Sequence, residues 1–331
     1  MTMNETIRKP EKGWLTNVVP EGAAGPERAL LALTLLFLLA FVYMVVCAFF
    51  GRALHLPGIP GGPYGKLVPP FGFAFLYLSY TRGFRSSLFL AAFAAVYCWL
   101  GEESSVHTGF PFGHYYYSGM LGYKLDVVPI TIGLNYFWIY IVPALALANL
   151  IVQGNLFGRG GGRWRLLFTS FVASVLVSGI DMAVDPLDAT KLSEWVWTKN
   201  SYTGFYGIPY MNYLGYVLVM TPLFFLYGLY ERRTGSSPRG PVNVYVAALP
   251  LFFYFLLFLL YGIPAPSGVF LVACFTMGLP LVLAADRLVG FFARRGFPAD
   301  EVDAVTSSSP SRASEARTPP VRNRGRSEEA D

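Results

Sequence analysis

Eight long apolar runs, separated by short polar or aromatic segments, leave this chain few ways to fold. They extend over roughly 30–50, 67–80, 87–100, 127–152, 166–183, 210–230, 242–261 and 269–289. About 20 apolar residues in a helix cross the hydrocarbon core of a bilayer, where a chain must satisfy its own backbone polar groups. The expected fold is therefore all-α: a polytopic transmembrane helix bundle of about eight spans. The count becomes seven if the short second and third runs join around Thr81, Arg82 and Gly83. Composition agrees, because only 14% of the 331 residues are charged, against about a quarter in soluble domains. The first run is too long for the apolar part of a signal peptide and reads as an anchor.

Charge placement sets the expected orientation. Arg8, Lys9, Lys12, Arg28, Arg82, Arg85, Arg159, Arg163, Arg165, Arg232, Arg233, Arg239, Arg294 and Arg295 fall on one side of an eight-span chain. Arg52, Lys66, Lys124, Lys191 and Lys199 fall on the other. The positive-inside rule then places both termini in the cytoplasm. Three parts follow: a cytoplasmic segment over 1–28, a transmembrane domain over 29–290 and a disordered cytoplasmic tail over 291–331. The net charge of +5 is accounted for by this pattern, so no nucleic-acid partner is expected. The bilayer itself, a bacterial inner or cell membrane, is the expected surroundings. Cys47, Cys98 and Cys274 lie inside apolar runs and form neither a disulfide framework nor a metal motif.

Acids at membrane depth are costly to bury and mark functional or paired positions. Glu102 and Glu103 close the third run, and Asp181 and Asp185 close the fifth. A spacing of four puts the two aspartates on one helix face, with Pro186 and Asp188 following. The third and fifth spans run in the same direction, so their acid-bearing ends converge at one boundary of the bilayer. The aromatic segments after them converge there too, and the candidate site falls within 99–216. These segments carry His107, His114, Tyr115, Tyr116, Tyr117, Trp195, Trp197, Tyr206 and Asn212. The stretch from Thr108 resembles the stretch from Thr203, as in a hairpin repeated in parallel with a site between the copies. An interfacial aromatic belt is the alternative reading of the rings. His107 and His114 make no recognised ligand pattern, so no metal is expected. Walker, GxSxG and HExxH motifs are missing, and three histidines are too few for a histidine-ligated di-iron centre.

At these residues the sequence resembles the integral-membrane carotenoid biosynthesis proteins that include the bacterioruberin-pathway and γ-carotene hydratases. The likeness rests on GEE at Gly101–Glu103, TGFPFGHYYYS from Thr108, LGYKLDVVPI from Leu121 and DMAVDPLDA from Asp181. Trp195, Trp197 and GFYGIPYMNYLGY from Gly204 complete it. Two places depart from the family pattern: no tryptophan closely follows Pro129, and Tyr216 stands in place of a tryptophan. The resemblance implies hydration of the terminal 1,2 double bond of an acyclic carotenoid end, giving a tertiary alcohol without a cofactor. That makes the expected enzyme a hydro-lyase whose partners are a polyene and other membrane enzymes of the pathway.

A carboxylic acid would protonate the alkene, which apolar surroundings favour by keeping the acid neutral. Aromatic faces would stabilise the tertiary cation. A second carboxylate would orient or deprotonate water. Asp181 or Glu103 is the expected donor, and Asp185 and Glu102 the expected water-handling groups. His107, Tyr115, Tyr117, Trp195, Trp197, Tyr206 and Asn212 are the expected substrate contacts. Three alternatives share these residues: a cyclase using the same protonation, a prenyltransferase using the DxxxD of Asp181 and Asp185, and a non-enzymatic lipid or pigment transporter or scaffold.

Overall fold

The computed structural model describes residues 20, 22–154, 161–198, 204–235 and 240–295. The described residues belong to one compact unit, whose boundary falls after Ala299. Of the expected N-terminal segment (1–28) and tail (291–331), only residues 20, 22–28 and 291–295 are described, and helix already covers 25–28 and 291–295, past the expected boundaries.

Among the described residues eight helices make up the bundle: α1 (Gly25–Phe50), α2 (Gly62–Arg82), α3 (Phe84–Thr108), α4 (Ile130–Gln153), α5 (Arg163–Leu192), α6 (Tyr210–Thr234), α7 (Val244–Gly262) and α8 (Ser267–Ala293). All but α2 are long and apolar enough to cross a membrane. Their starts follow local chemistry. Pro26 sits in the first turn of α1, where no backbone N–H is required, and the Glu27 carboxylate accepts from the Ala24 N–H at 2.8 Å. Asn243 caps α7 by accepting from the Val246 N–H at 3.0 Å.

The second and third runs do not join into one span. Gly83 alone separates α2 from α3, with φ of +87°, a conformation open to glycine. The rings of Phe75 and Phe84 lie 5.7 Å apart. Nine residues along a continuous helix would separate them by about 14 Å, so the chain doubles back at Gly83. Both helices also extend well beyond the 67–80 and 87–100 runs.

The centre of the bundle is α4 and α5, whose most apolar stretches are 78% and 67% buried, against 28% for α1 and 22% for α8. Both central helices depart from regular α geometry. In α4 the turns Phe137–Ile141 and Asn149–Gln153 are widened π turns, and α5 ends in another, Asp188–Leu192. Such turns re-aim side chains and recur at functional sites. At the bundle end that holds the start of α3, buried Arg82 pairs with Glu231, which also accepts from Ser86 and Tyr227, so α2, α3 and α6 are tied together.

At the other end three small strand pairs close the fold. Strand β1 (Tyr115–Tyr117) pairs antiparallel with β4 (Trp195–Trp197), Tyr116 opposite Val196. Strands β2 (Lys124–Leu125) and β3 (Val128–Pro129) form a hairpin leading into α4. Strands β5 (Gly204–Phe205) and β6 (Ile208–Pro209) form a matching hairpin leading into α6. Asp126 and Tyr206 take positive φ at the two turns. The order helix, strand, hairpin, helix thus occurs twice: α3 to α4 and α5 to α6. The repeat is present, but its register differs from the alignment of Thr108 with Thr203. Tyr115–Tyr117 corresponds to Trp195–Trp197, and Pro129 to Pro209. Composition obscured this, because one strand uses tyrosine where the other uses tryptophan.

Helices α3 and α4 approach closely at Gly133, where a Cβ would meet the Ala95 carbonyl oxygen at 2.2 Å. At Gly101, also helical, the nearest heavy atom to a Cβ is 3.7 Å away. Gly133→Ala is expected to destabilise the protein by about 1–3 kcal/mol and Gly101→Ala to leave stability unchanged or slightly raised. Thermal unfolding in detergent measures both.

Candidate active site

A cavity of about 670 Å³ opens at the end of the bundle capped by the β1–β4 pair. Strand alternation builds one wall. Tyr115 and Tyr117 point inward and are buried, while Tyr116 points out and is 54% exposed. Cross-strand pairing puts Trp197 beside Tyr115 and Trp195 beside Tyr117, with the Tyr115 and Trp197 rings 4.7 Å apart. Helices α3 and α5 bring their terminal acids to this wall.

Glu102 is enclosed by phenols. Tyr115 and Tyr117 both donate to Oε2, the latter at 2.8 Å, and Tyr136 donates to Oε1. On α5, Asp181 accepts from the Tyr140 hydroxyl at 2.8 Å and from the Asn212 amide at 2.7 Å. Asp185 accepts from the same Asn212 nitrogen at 2.7 Å and from the Trp195 indole N–H at 2.6 Å. One carboxamide, with two N–H donors, thus bridges both aspartates. The Tyr136 and Tyr216 hydroxyls meet at 3.2 Å and their rings stack at 5.8 Å. Each lies seven residues after its hairpin proline, so the junction between the halves is made by equivalent residues. The Tyr216 ring also lies 5.3 Å from that of Tyr140, which donates to Asp181, so packed tyrosines lead from Glu102 to Asp181.

Seven expected residues line the cavity: Glu102, Tyr115, Tyr117, Asp185, Trp195, Trp197 and Asn212. Asp181 does not. It lies one helical turn deeper, 1% exposed, behind Asn212. Glu103, His107 and Tyr206 are also outside the lining. Adjacent residues on a helix point about 100° apart, so Glu102 and Glu103 cannot both face inward. Glu103 instead meets His107 at 2.9 Å, and His107 meets Asp126 at 3.2 Å. The ligand atoms of this trio lie within 4.8 Å of one another, outside the cavity lining. Tyr206 is 44% exposed at its hairpin turn.

Sequence reading missed several wall residues. Tyr136 and Tyr140, four apart on α4, escaped attention inside an apolar run, and Tyr216 was noticed only as a departure from a pattern. Phenol hydroxyls at helical spacing within a membrane span were the available signal. Lys66, Asp188 and Glu194 also line the cavity. Burial pushes the Glu194 carboxyl above its ordinary value, and the Lys66 charge pulls it back.

Asn212 keeps two buried acids apart and hydrogen-bonded. Asn212→Leu is expected to cost about 2–3 kcal/mol, the penalty for stranding buried polar groups. The loss should be smaller when Asp181→Leu is already present, because the two positions are coupled. A double-mutant cycle in thermal unfolding reads the difference.

Comparison with known proteins gives the family of the chain. A family described as "Carotenoid biosynthesis protein" matches residues 67–280, a range that includes every cavity acid. A bisanhydrobacterioruberin hydratase from Haloarcula japonica is 30% identical over 155 residues, covering 47% of this chain and 49% of the relative. The chain therefore aligns with about half the length of that protein. No solved structure matches. With its helices long and apolar enough for a bilayer and its acids gathered at one end of the bundle, the chain is a membrane protein that belongs to the carotenoid biosynthesis protein family.

Proposed function

We propose that the protein hydrates the terminal 1,2 double bond of an acyclic carotenoid end group. The observation carrying this reading is the cavity wall on which Asp185, backed by Asp181, shares Asn212 and lies in the same chamber as Glu102 under its three tyrosines. Two neighbouring carboxylates bridged by a neutral amide repel when both are charged, and such pairs share a proton. Asp185, the member that reaches the cavity, delivers that proton to the alkene carbon C2. The tertiary cation at C1 then lies among the rings of Tyr115, Tyr136 and Trp197, whose faces attract it. The Glu102 carboxyl, held by phenol donors, lies on the same wall and stabilises the cation when it is ionised. Water captures the cation, giving a tertiary alcohol.

The hydratase relative from Haloarcula japonica supports the reaction class. Aliphatic side chains of the cavity, Met44, Leu67 and Leu260 among them, suit a polyene entering from the bilayer. We assign the end bearing Arg82 and Arg85 to the cytoplasm, from the positive-inside rule, which puts the cavity at the outer boundary of a cell membrane, within reach of water.

Expression in a host that accumulates lycopene tests the reading. Liquid chromatography with mass detection should show a pigment heavier by one or two waters, and Asp185→Asn should reduce its formation by about 10²–10⁴-fold. A new pigment of unchanged mass would identify a cyclase instead. Asp181→Asn is expected to be milder than Asp185→Asn, because Asp181 does not reach the cavity.

A further inference from the structure

Asp188 has no part in the chemistry above, yet it is placed for one. It begins the π turn that ends α5, three residues after Asp185, so both carboxyls face the same cavity. It is 6% exposed. Among the described residues no side chain or backbone N–H donates to its carboxyl, in contrast to the other cavity acids on α3 and α5. Glu102 accepts three phenol hydroxyls and Asp185 accepts an indole and an amide N–H. A carboxylate offers about four acceptor sites, so Glu102 is nearly saturated and Asp188 is open. Lys66 and Glu194 line the same chamber. Together they make a polar pocket fit to hold water.

We propose that Asp188 is the catalytic base that activates the water in the hydration reaction. This assignment rests on the hydratase reading. The steps balance as follows. The alkene π pair takes the proton of the Asp185 carboxyl, forming the C2–H bond and the C1 cation. A water held by Asp188 forms the C1–O bond and passes one proton to the Asp188 carboxylate. One alkene and one water become one tertiary alcohol, and the proton lost by Asp185 is matched by the proton gained at Asp188. Cavity water returns it before the next turnover.

The test separates protonation from water capture. The purified full chain in lipid nanodiscs is given lycopene in D₂O, and two quantities are read by mass detection: hydrated product, and deuterium in the recovered carotene. Deuterium in unhydrated carotene reports a cation that formed and lost a proton again. Asp188→Asn should reduce hydrated product about 100-fold while deuterium still enters the carotene, and Asp185→Asn should abolish both. Asp188→Glu, which keeps the carboxylate, should recover part of the hydration. If Asp188→Asn fails to fold, Asp188→Ser serves in its place.

Hydration at the wild-type rate in the Asp188 variants would overturn the assignment. So would equal loss of hydration and deuterium uptake in a folded variant, the mark of a structural role. A wild-type protein that neither hydrates lycopene nor exchanges its hydrogen would instead overturn the hydratase reading itself.

Discussion

Carboxyl groups buried at the end of a membrane bundle need hydrogen-bond donors, and much of this fold serves to bring donors to three of them. A lone acid in an apolar helix costs several kcal/mol. Glu102, Asp181 and Asp185 meet that requirement with tyrosine, asparagine and tryptophan donors from α4, α6, β1 and β4. No arginine or lysine takes part in these bonds. Neutral donors leave the acids chemically available, whereas a salt bridge would fix them as carboxylates. The Arg82–Glu231 pair at the opposite end shows the other solution in the same molecule, where a cation closes the network.

Repetition of one structural unit explains how this part of the chain supplies so many donors. Each half contributes a helix ending in acids, a strand of aromatic residues, a tight hairpin ending in proline and a returning helix. Antiparallel pairing of β1 with β4 brings the halves together, and Tyr136 and Tyr216 meet at equivalent positions. The halves have diverged in chemistry. The first presents one acid with three phenols, and the second presents a pair of acids sharing one amide. That division gives a single cavity two chemically distinct walls, one carrying Glu102 and the other Asp185 and Asp188.

Much of this was legible in the residues. Apolar runs gave the helices, and a spacing of four gave the shared face of Asp181 and Asp185. The parallel sense of the third and fifth spans brought Glu102 and Asp185 to one end. Depth was not legible: Asp181 and Asp185 share a face, but only the packing of α6 decides that Asn212 covers one and leaves the other at the cavity. Nor could sequence choose between Glu102 and Glu103, since the helix phase depends on what α3 packs against. Tyr136, Tyr140 and Tyr216 were hidden for a related reason. A tyrosine in an apolar span reads as packing until a buried acceptor is found beside its hydroxyl. In the sequence Asp188 only follows Pro186 at a helix end, because a π turn that re-aims a side chain leaves no mark in the pattern.

The central claim is that the two halves form one chamber for the end of a polyene. An experimental structure of the full chain in lipid with an acyclic carotene bound tests it most directly. The account predicts the terminal isopropylidene group within about 4 Å, van der Waals contact distance, of the Asp185 carboxyl and the Tyr136 ring, with the polyene running past Leu67 and Leu260 toward the bilayer. A carotene end seated elsewhere, such as the polar hollow beside Arg82 and Glu231, or a polyene lying only on the lipid-facing surface, would contradict it.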